Sequence, residues 1–439
     1  MEKWDFLQFL LYYCMYYYLF GSDTDAYTPE QIHISWGDSP LEVVVTWSTR
    51  VETPHVFVRY GIGVLNNIQS GETKIFIDGG KQKRKQYIHK AHLRNLEPSQ
   101  KYKYVCGSSL ATSKELWFRT VPDGNDWSPK LAIYGDMGVK NDVSLPYLIE
   151  DAQKALYDAF IHVGDFAYDM KNRNGRRGDE FLRNIQPIAA HVPYMVCPGN
   201  HEQAYNFSHF RERFNMPGSS ENLFYSFNVG PAHFISINTE AFFYLEYGIK
   251  LLTKMVDWLE QDLLHANTPE NRKIRPWVIT YGHRPMYCSN TNHGCESDNS
   301  AVRVGLEGKW LGLEDMFYHH GVDLSFWGHE HSYERMLPLY NKTLRLGSVE
   351  HPYVDPKGPV HVTTGSAGCW EEIANFTDNP PPWSAKRLQL YGYSVLHIVN
   401  ATHLNVQQIA VTKGKEVVDD FWIIKNNQRY SENQTSVDL

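Results

Sequence analysis

The sequence predicts an all-β sandwich over residues 28–121 followed by an α/β domain over residues 129–425. Three observations carry that expectation. The first span holds short strand-like runs separated by turn residues, with no helical period. After Lys130, strand-like runs alternate with helix-like ones, the texture of an α/β domain. Between the two, VPDGNDWSPK sets Pro, Gly, Asp and Asn in quick succession, the composition of a boundary. With 439 residues, 42% of them hydrophobic, the chain is long enough for two cores.

Residues 1–22 begin with a lysine near the start and continue as an apolar, tyrosine-rich run, MEKWDFLQFLLYYCMYYYLF, ahead of Gly21. This reads as a signal peptide, with a signal anchor as the alternative. No other segment approaches the ~20 apolar residues of a membrane span, so none is expected once the signal is removed. Asn-x-Ser/Thr sequons begin at Asn206, Asn341, Asn375, Asn400 and Asn433, which fits the secretory pathway and a secreted, extracellular or lysosomal location. Of the cysteines beyond Cys14, namely Cys106, Cys197, Cys288, Cys295 and Cys369, the pair Cys288 and Cys295 can close a small loop. A leftover thiol could join two copies as a homodimer, and the connectivity stays open. A net charge of -8 gives nucleic acid no general attraction. The basic run KQKRK at 81–85 reads as a solvated loop.

The sandwich is built from QIHISW, EVVVTWST, HVFVRYG, TKIFID, YIHKAHL, KYKYVCG and ELWFRT. In HLRNLEPSQKYKY the spacing of Leu93, Leu96, Pro98 and Tyr102 resembles the tyrosine corner of fibronectin type III domains. Past the boundary, VSLPYLIEDAQKALYD and GIKLLTKMVDWLEQDLLHA carry helical patterns. Residues 426–439 form a polar C-terminal tail.

Five apolar runs in the second domain end on a glycine and then on metal-binding residue types: LAIYGDMG, AFIHVGDFAY, YMVCPGNHE, WVITYGH and VDLSFWGHEH. Ligands of α/β domains bind at the carboxyl ends of strands, so residues far apart in sequence can converge there. The candidates are Asp136, Asp165, Tyr168, Asn200, His283, His329 and His331. Hard oxygen ligands suit Fe(III), while imidazoles and an amide oxygen suit Zn, Mn or Fe(II), so the mixed set points to two different ions. A carboxylate such as Asp165 can bridge two ions about 3.5–4 Å apart. On an extended chain, GHEH sends His329 and His331 to the same side. Glycine is expected beside the ligands because the backbone must turn sharply and approach the ions closely. Singly, each residue is more often a helix cap or a core side chain. The ordered set of five is not.

In that order, and behind a fibronectin-like domain, GDMG, GDFAY, GNHE, the GH at 282–283 and GHEH resemble the purple acid phosphatases within the calcineurin-like metallophosphoesterases. The resemblance implies two packed mixed sheets flanked by helices. It implies a secreted acid phosphatase that hydrolyses small phosphate monoesters with Fe(III) and a divalent ion, Zn, Fe or Mn, through in-line attack of a metal-bound hydroxide. Position by position, Asp136, Asp165, Tyr168 and His331 become ligands of Fe(III), and Asp165, Asn200, His283 and His329 hold the divalent ion. His201 contacts the phosphate, and His293, in CSNTNHGCESDN, faces the leaving group. Tyr168 is the discriminating element, since general two-metal phosphoesterases lack it. With His201 or His293 protonated, and free imidazole titrating near about 6.5, an acidic working pH follows. Two other readings stay open: a di-metal phosphodiesterase of the wider superfamily, and a cell-surface binding protein with weak catalysis.

Overall fold

The computed structural model describes residues 26–291, 300–307, 310–368 and 370–426. The expected signal peptide, His293, Cys295, Cys369, the sequon at Asn433 and nearly all of the C-terminal tail lie outside the described residues. Among the described residues no helix is long and apolar enough to cross a membrane.

Eight strands come first: β1 (Glu30–Trp36), β2 (Val43–Thr49), β3 (Phe57–Ile62), β4 (Asn67–Ser70), β5 (Glu72–Ile77), β6 (Lys85–Leu93), β7 (Lys101–Gly107) and β8 (Leu116–Arg119). They form two four-stranded sheets, in the orders β1-β2-β6-β5 and β4-β3-β7-β8, paired antiparallel throughout. Ile34, Val45, Trp47, Val58, Leu93, Tyr104 and Phe118 from both sheets fill the space between them. The strand without a sequence signal is β4, whose NIQS is mostly exposed and therefore shows no apolar alternation. Tyr102 makes the expected corner: its hydroxyl accepts the Glu97 N–H at 2.9 Å.

The second domain contains β9 (Lys130–Tyr134), β10 (Ala159–Val163), β11 (Tyr194–Cys197), β12 (Tyr225–Val229), β13 (Ala232–Ser236) and β14 (Trp277–Tyr281). Two short ribbons, β15 (Gly305–Leu306) with β16 (Trp310–Leu311) and β19 (Leu339–Tyr340) with β20 (Thr343–Leu344), flank β17 (Leu324–Trp327) and β18 (Tyr333–Met336). The chain ends on β21 (Val360–Thr364), β22 (Ser384–Leu388), β23 (Gly392–Ile398), β24 (His403–Ala410) and β25 (Glu416–Ile424). One sheet runs β11-β10-β9-β23-β24-β25, the other β12-β13-β14-β17-β21-β18-β22. Strands β9, β10 and β11 are parallel, as are β13, β14, β17 and β21; the first sheet carries antiparallel strands at its β25 edge and the second at both edges. LAIY, AFIHV, YMVC and WVITY are buried along their length, which is why they read as unbroken apolar runs. Both sheets contribute to one apolar cluster.

Helices occupy Leu145–Gln153 and Lys250–Ala266, within the two periodic segments. A further helix, Arg176–Ala189, has a strongly charged first turn that masks its apolar face of Phe181, Leu182, Ile185, Ile188 and Ala189. It joins the domains. Its Gln186 side chain accepts the Ile32 N–H at 2.9 Å, and the Tyr104 hydroxyl donates to Ala190 O at 2.6 Å. At the same joint the buried Asp179 carboxylate accepts from Arg84 and Arg213, each at 2.9 Å, and from Gln86 at 2.7 Å. The run at 81–85 is thus only partly a solvated loop: Lys81 and Lys83 are exposed, whereas Arg84 docks the sandwich onto its neighbour.

Candidate metal centre

The carboxyl ends of β9, β10 and β11 in one sheet and of β14 and β17 in the other deliver the five motifs to one place. Asp136 follows β9, and its Oδ2 accepts the His329 N–H, beyond β17, at 2.9 Å. Asp165 follows β10; its Oδ2 lies 3.1 Å from His283 Nε2, and its Oδ1 accepts the His201 N–H at 2.9 Å. The Tyr168 hydroxyl stands 3.2 Å from Asp136 Oδ1 and 3.0 Å from His331 Nε2. Asn200 Oδ1 is 3.0 Å from His283 Nε2. Ligand atoms of Asp165, His283 and His329 all lie within 4.8 Å of one another. Every predicted ligand therefore joins the cluster, and all except the half-buried Asn200 are buried.

The local backbone differs from expectation. Asp136, Asp165, Tyr168 and His329 themselves take left-handed φ values of 60°, 54°, 42° and 69°. Such conformations are held only by strongly determined surroundings and cluster at functional sites. Close approach explains the neighbouring glycines better than turning does. At Gly164, with φ 90°, a Cβ would lie 2.5 Å from His283 Nδ1, and at Gly199 one would lie 2.2 Å from Asp165 Oδ1. Nor is GHEH extended. The turn at His329 separates the two imidazoles: His329 packs by His283 with centroids 5.1 Å apart, while His331 faces Tyr168 and Asp136.

Hydrogen bonding at the far side of two rings fixes what they present to the cluster. His283 Nδ1 sits 2.8 Å from Val163 O and His331 Nδ1 sits 3.0 Å from Glu372 O. A carbonyl only accepts, so Nδ1 carries the proton and Nε2 presents its lone pair. Those lone pairs meet oxygens of Asp165 and Asn200 around His283, and of Asp136 around His331. Acceptor facing acceptor is unfavourable unless positive charge lies between them. Burial opposes a charged His283, yet the carboxylates of Asp165 and Asp136 outweigh it and push the imidazole up to about 10, so without an ion a second proton on Nε2 supplies that positive charge. Asp165 is correspondingly held well below the usual carboxylate range, against burial, by His283 and His201. Carboxylates, a phenol, an amide oxygen and imidazoles, arranged around a deficit of positive charge, fit a metal centre.

His201 stands at the mouth, its side chain 21% exposed. Its Nδ1 bonds Asp169 Oδ1 at 2.9 Å and its ring packs on Tyr168, centroids 4.4 Å apart. Burial opposes its charge, but Asp165 and Asp169 push it up to about 9, above the range of a free imidazole.

The comparisons with known proteins agree with this geometry. Residues 29–120 match the purple acid phosphatase N-terminal domain, 129–333 the calcineurin-like phosphoesterases, and 358–420 the iron/zinc purple acid phosphatase-like protein C family. Acid phosphatase type 7 of Mus musculus is 50% identical over 402 residues, 91% of each chain. The chain belongs to the purple acid phosphatase family. It is a phosphatase, a metal-dependent hydrolase of phosphoesters. Acid phosphatase type 7 of Homo sapiens is 49% identical over 401 residues, 90% of this chain and 91% of that one. A purple acid phosphatase from yellow lupin (Lupinus luteus) seeds shares the fold, with a TM-score of 0.78 at 24% identity over 92% of this chain and 76% of that one.

Sequence reasoning overlooked the residues that hold the phosphatase's cluster in place. Glu202 is buried, and its carboxylate accepts the N–H groups of Asp165 at 2.8 Å, Phe166 at 3.0 Å and Gly199 at 3.0 Å, tying two motif turns together. Asp169 orients His201, and Glu240 grips Arg284. Glu202, Asp169 and Arg284 each lie within two residues of a predicted site residue, which is the only signal the sequence offers for them.

Proposed function

We propose that this phosphatase is a secreted acid phosphatase acting on small phosphate monoesters with an Fe(III)–divalent pair, the divalent ion being Zn, Fe or Mn. Asp136, Asp165, Tyr168 and His331 would hold the iron, and Asp165, Asn200, His283 and His329 the divalent ion. When bound, such a pair neutralises phosphoryl charge and supplies an activated water nucleophile. The observation that carries the assignment is the pair of imidazoles, His283 and His331, each anchored by Nδ1 to a backbone carbonyl and turning Nε2 to Asp165 and Asp136 respectively.

The chain's own residues do the rest. Asp169 holds His201 by Nδ1, which leaves Nε2 as a charged donor for a phosphoryl oxygen. Tyr168 packs under that ring and fixes its plane. His293 is proposed to face the leaving group and lies outside the described residues. Passage through the secretory pathway is supported by Asn206, Asn341, Asn375 and Asn400, each exposed, and by Cys288, which is disulfide-bonded to a partner outside the described residues. Among the described residues Cys106 and Cys197 are free and buried, so neither of these two offers a thiol for joining two copies.

Metal analysis and a visible spectrum test the assignment together. Two ions per chain with a phenolate-to-iron absorption band are expected, and Tyr168→Phe should bleach the band while lowering activity without abolishing it. A Tyr168→Phe protein that keeps its colour would remove this residue from the iron.

A further inference from the structure

Arg284 directly follows His283 at the end of β14, and its side chain is built into the wall of the centre. Its Nε faces both oxygens of Glu240, at 3.2 and 2.9 Å. Glu240 is fully buried. The guanidinium lies over the Phe243 ring, 4.4 Å from its centroid. The Arg284 N–H donates to Thr239 Oγ1 at 2.9 Å, fixing the backbone as well. With its stem held this way, the guanidinium sends Nη1 to His329 Nε2 at 2.9 Å.

That pattern is unusual for a purely structural ion pair. A guanidinium that only serves a carboxylate turns two nitrogens of its fork onto the two oxygens. Here Nε alone serves Glu240, and Nη1 reaches a nitrogen belonging to the proposed divalent site. The side chain is 19% exposed, so the head borders solvent as well as the cluster. His201 stands beside Asp165 and Tyr168, and Arg284 stands beside His329. His201 and the fixed cation Arg284 thus flank the place where a phosphoryl group would bind. A phosphate monoester differs from a diester by one negative charge, so a fixed cation there acts as a charge reader.

We infer that Arg284 is a substrate-binding residue that donates from its guanidinium to a phosphoryl oxygen and makes the centre favour dianionic monoesters over monoanionic diesters. This rests on the dinuclear reading above. With an ion held by His329, the N–H now directed at that ring would be left for a phosphoryl oxygen, while Glu240 and Phe243 keep the head in place. Lysine at this position would keep the charge and lose the Nε anchor, so it is a partial substitute at best.

The test compares an aryl phosphate monoester with a bis-aryl phosphate diester, using wild type, Arg284→Lys, Arg284→Ala and the double variant Glu240→Gln/Arg284→Ala. The double variant avoids leaving a buried, uncompensated carboxylate. Loss of one charge-assisted hydrogen bond predicts about 10- to 100-fold lower kcat/KM on the monoester in both alanine variants. The diester should lose less than about 3-fold, and inhibition by inorganic phosphate should weaken about 10-fold or more, with Arg284→Lys between the extremes. Metal content, measured on the same samples, should stay at the wild-type value. An equal fall on both esters with both ions retained would overturn charge reading. Loss of one ion would make Arg284 a positioning residue for His329. A wild-type enzyme holding fewer than two ions would instead defeat the dinuclear reading, independently of any variant.

Discussion

Two buried polar clusters behave in opposite ways. At the domain joint, Asp179 meets Arg84, Arg213 and Gln86, and Arg213 also donates to Gly175 O at 2.8 Å. Donors meet acceptors, and opposite charges meet. At the metal centre, carboxylates of Asp136 and Asp165, the Asn200 amide oxygen and imidazole lone pairs crowd together with few donors between them. The joint balances its charges without a ligand, although the Gln86 amide oxygen lacks a partner, while the centre needs positive charge. Balancing opposite charges therefore separates a structural cluster from a functional one where burial alone does not, since both are buried.

The largest effect should come from Asp165, the carboxylate proposed to bridge both ions. Asp165→Asn should lower kcat/KM by ~10³-fold or more and release both ions, read by metal analysis. Added metal should raise the Tm of the wild type but not of this variant. Should the metal-free variant prove as unstable as an Asp179 variant, the contrast between the two clusters would collapse.

Next in size is the joint itself. Asp179→Asn leaves Arg213 buried beside a neutral partner and should destabilise the fold by about 3 kcal/mol in denaturant unfolding. Its kcat, per folded and metal-loaded molecule, should match the wild type. A large fall in kcat would mean that the joint shapes the centre.

Glu202 connects the comparison to the turns beneath the ligands. Glu202→Gln puts an amide N–H₂ where backbone N–H groups now point, and metal affinity should weaken about 10- to 100-fold. Competition with a chelator measures this, and unchanged affinity would reduce Glu202 to a packing role.

The smallest effect concerns pH. Burial opposes the charge of Asp179, but Arg213 and Arg84 outweigh it and lower its pKa from the ordinary 3.8. A carboxylate lowered in the folded state contributes stability that is whole above its unfolded pKa and is lost as pH falls through the folded one. The Tm gap between wild type and Asp179→Asn should therefore hold steady from neutral pH to about 5 and shrink below about 4. A gap that closes by pH 6 would show that the joint depends on another titrating group.

Much of the fold and of the candidate site is legible in the sequence. Parallel strands buried on both faces must be apolar throughout, so β9, β10, β11, β14 and β17 announced themselves, and their abrupt polar ends marked the ligands. Strand β4 was invisible because it buries little, and the helix Arg176–Ala189 because its charged first turn hides the apolar stripe.

The sequence by itself determined the order of the domains, the strand-end positions and the identity of the candidate ligands, because those follow from local residue type and period. Only the tertiary structure decided which way each ligand points. His329 and His331 part because the backbone turns left-handed between Gly328 and Glu330, and Glu202, Asp169, Glu240 and Arg284 gain their roles from partners up to dozens of residues away. A hydrogen bond depends on where two atoms stand in space, and spacing along the chain does not record it.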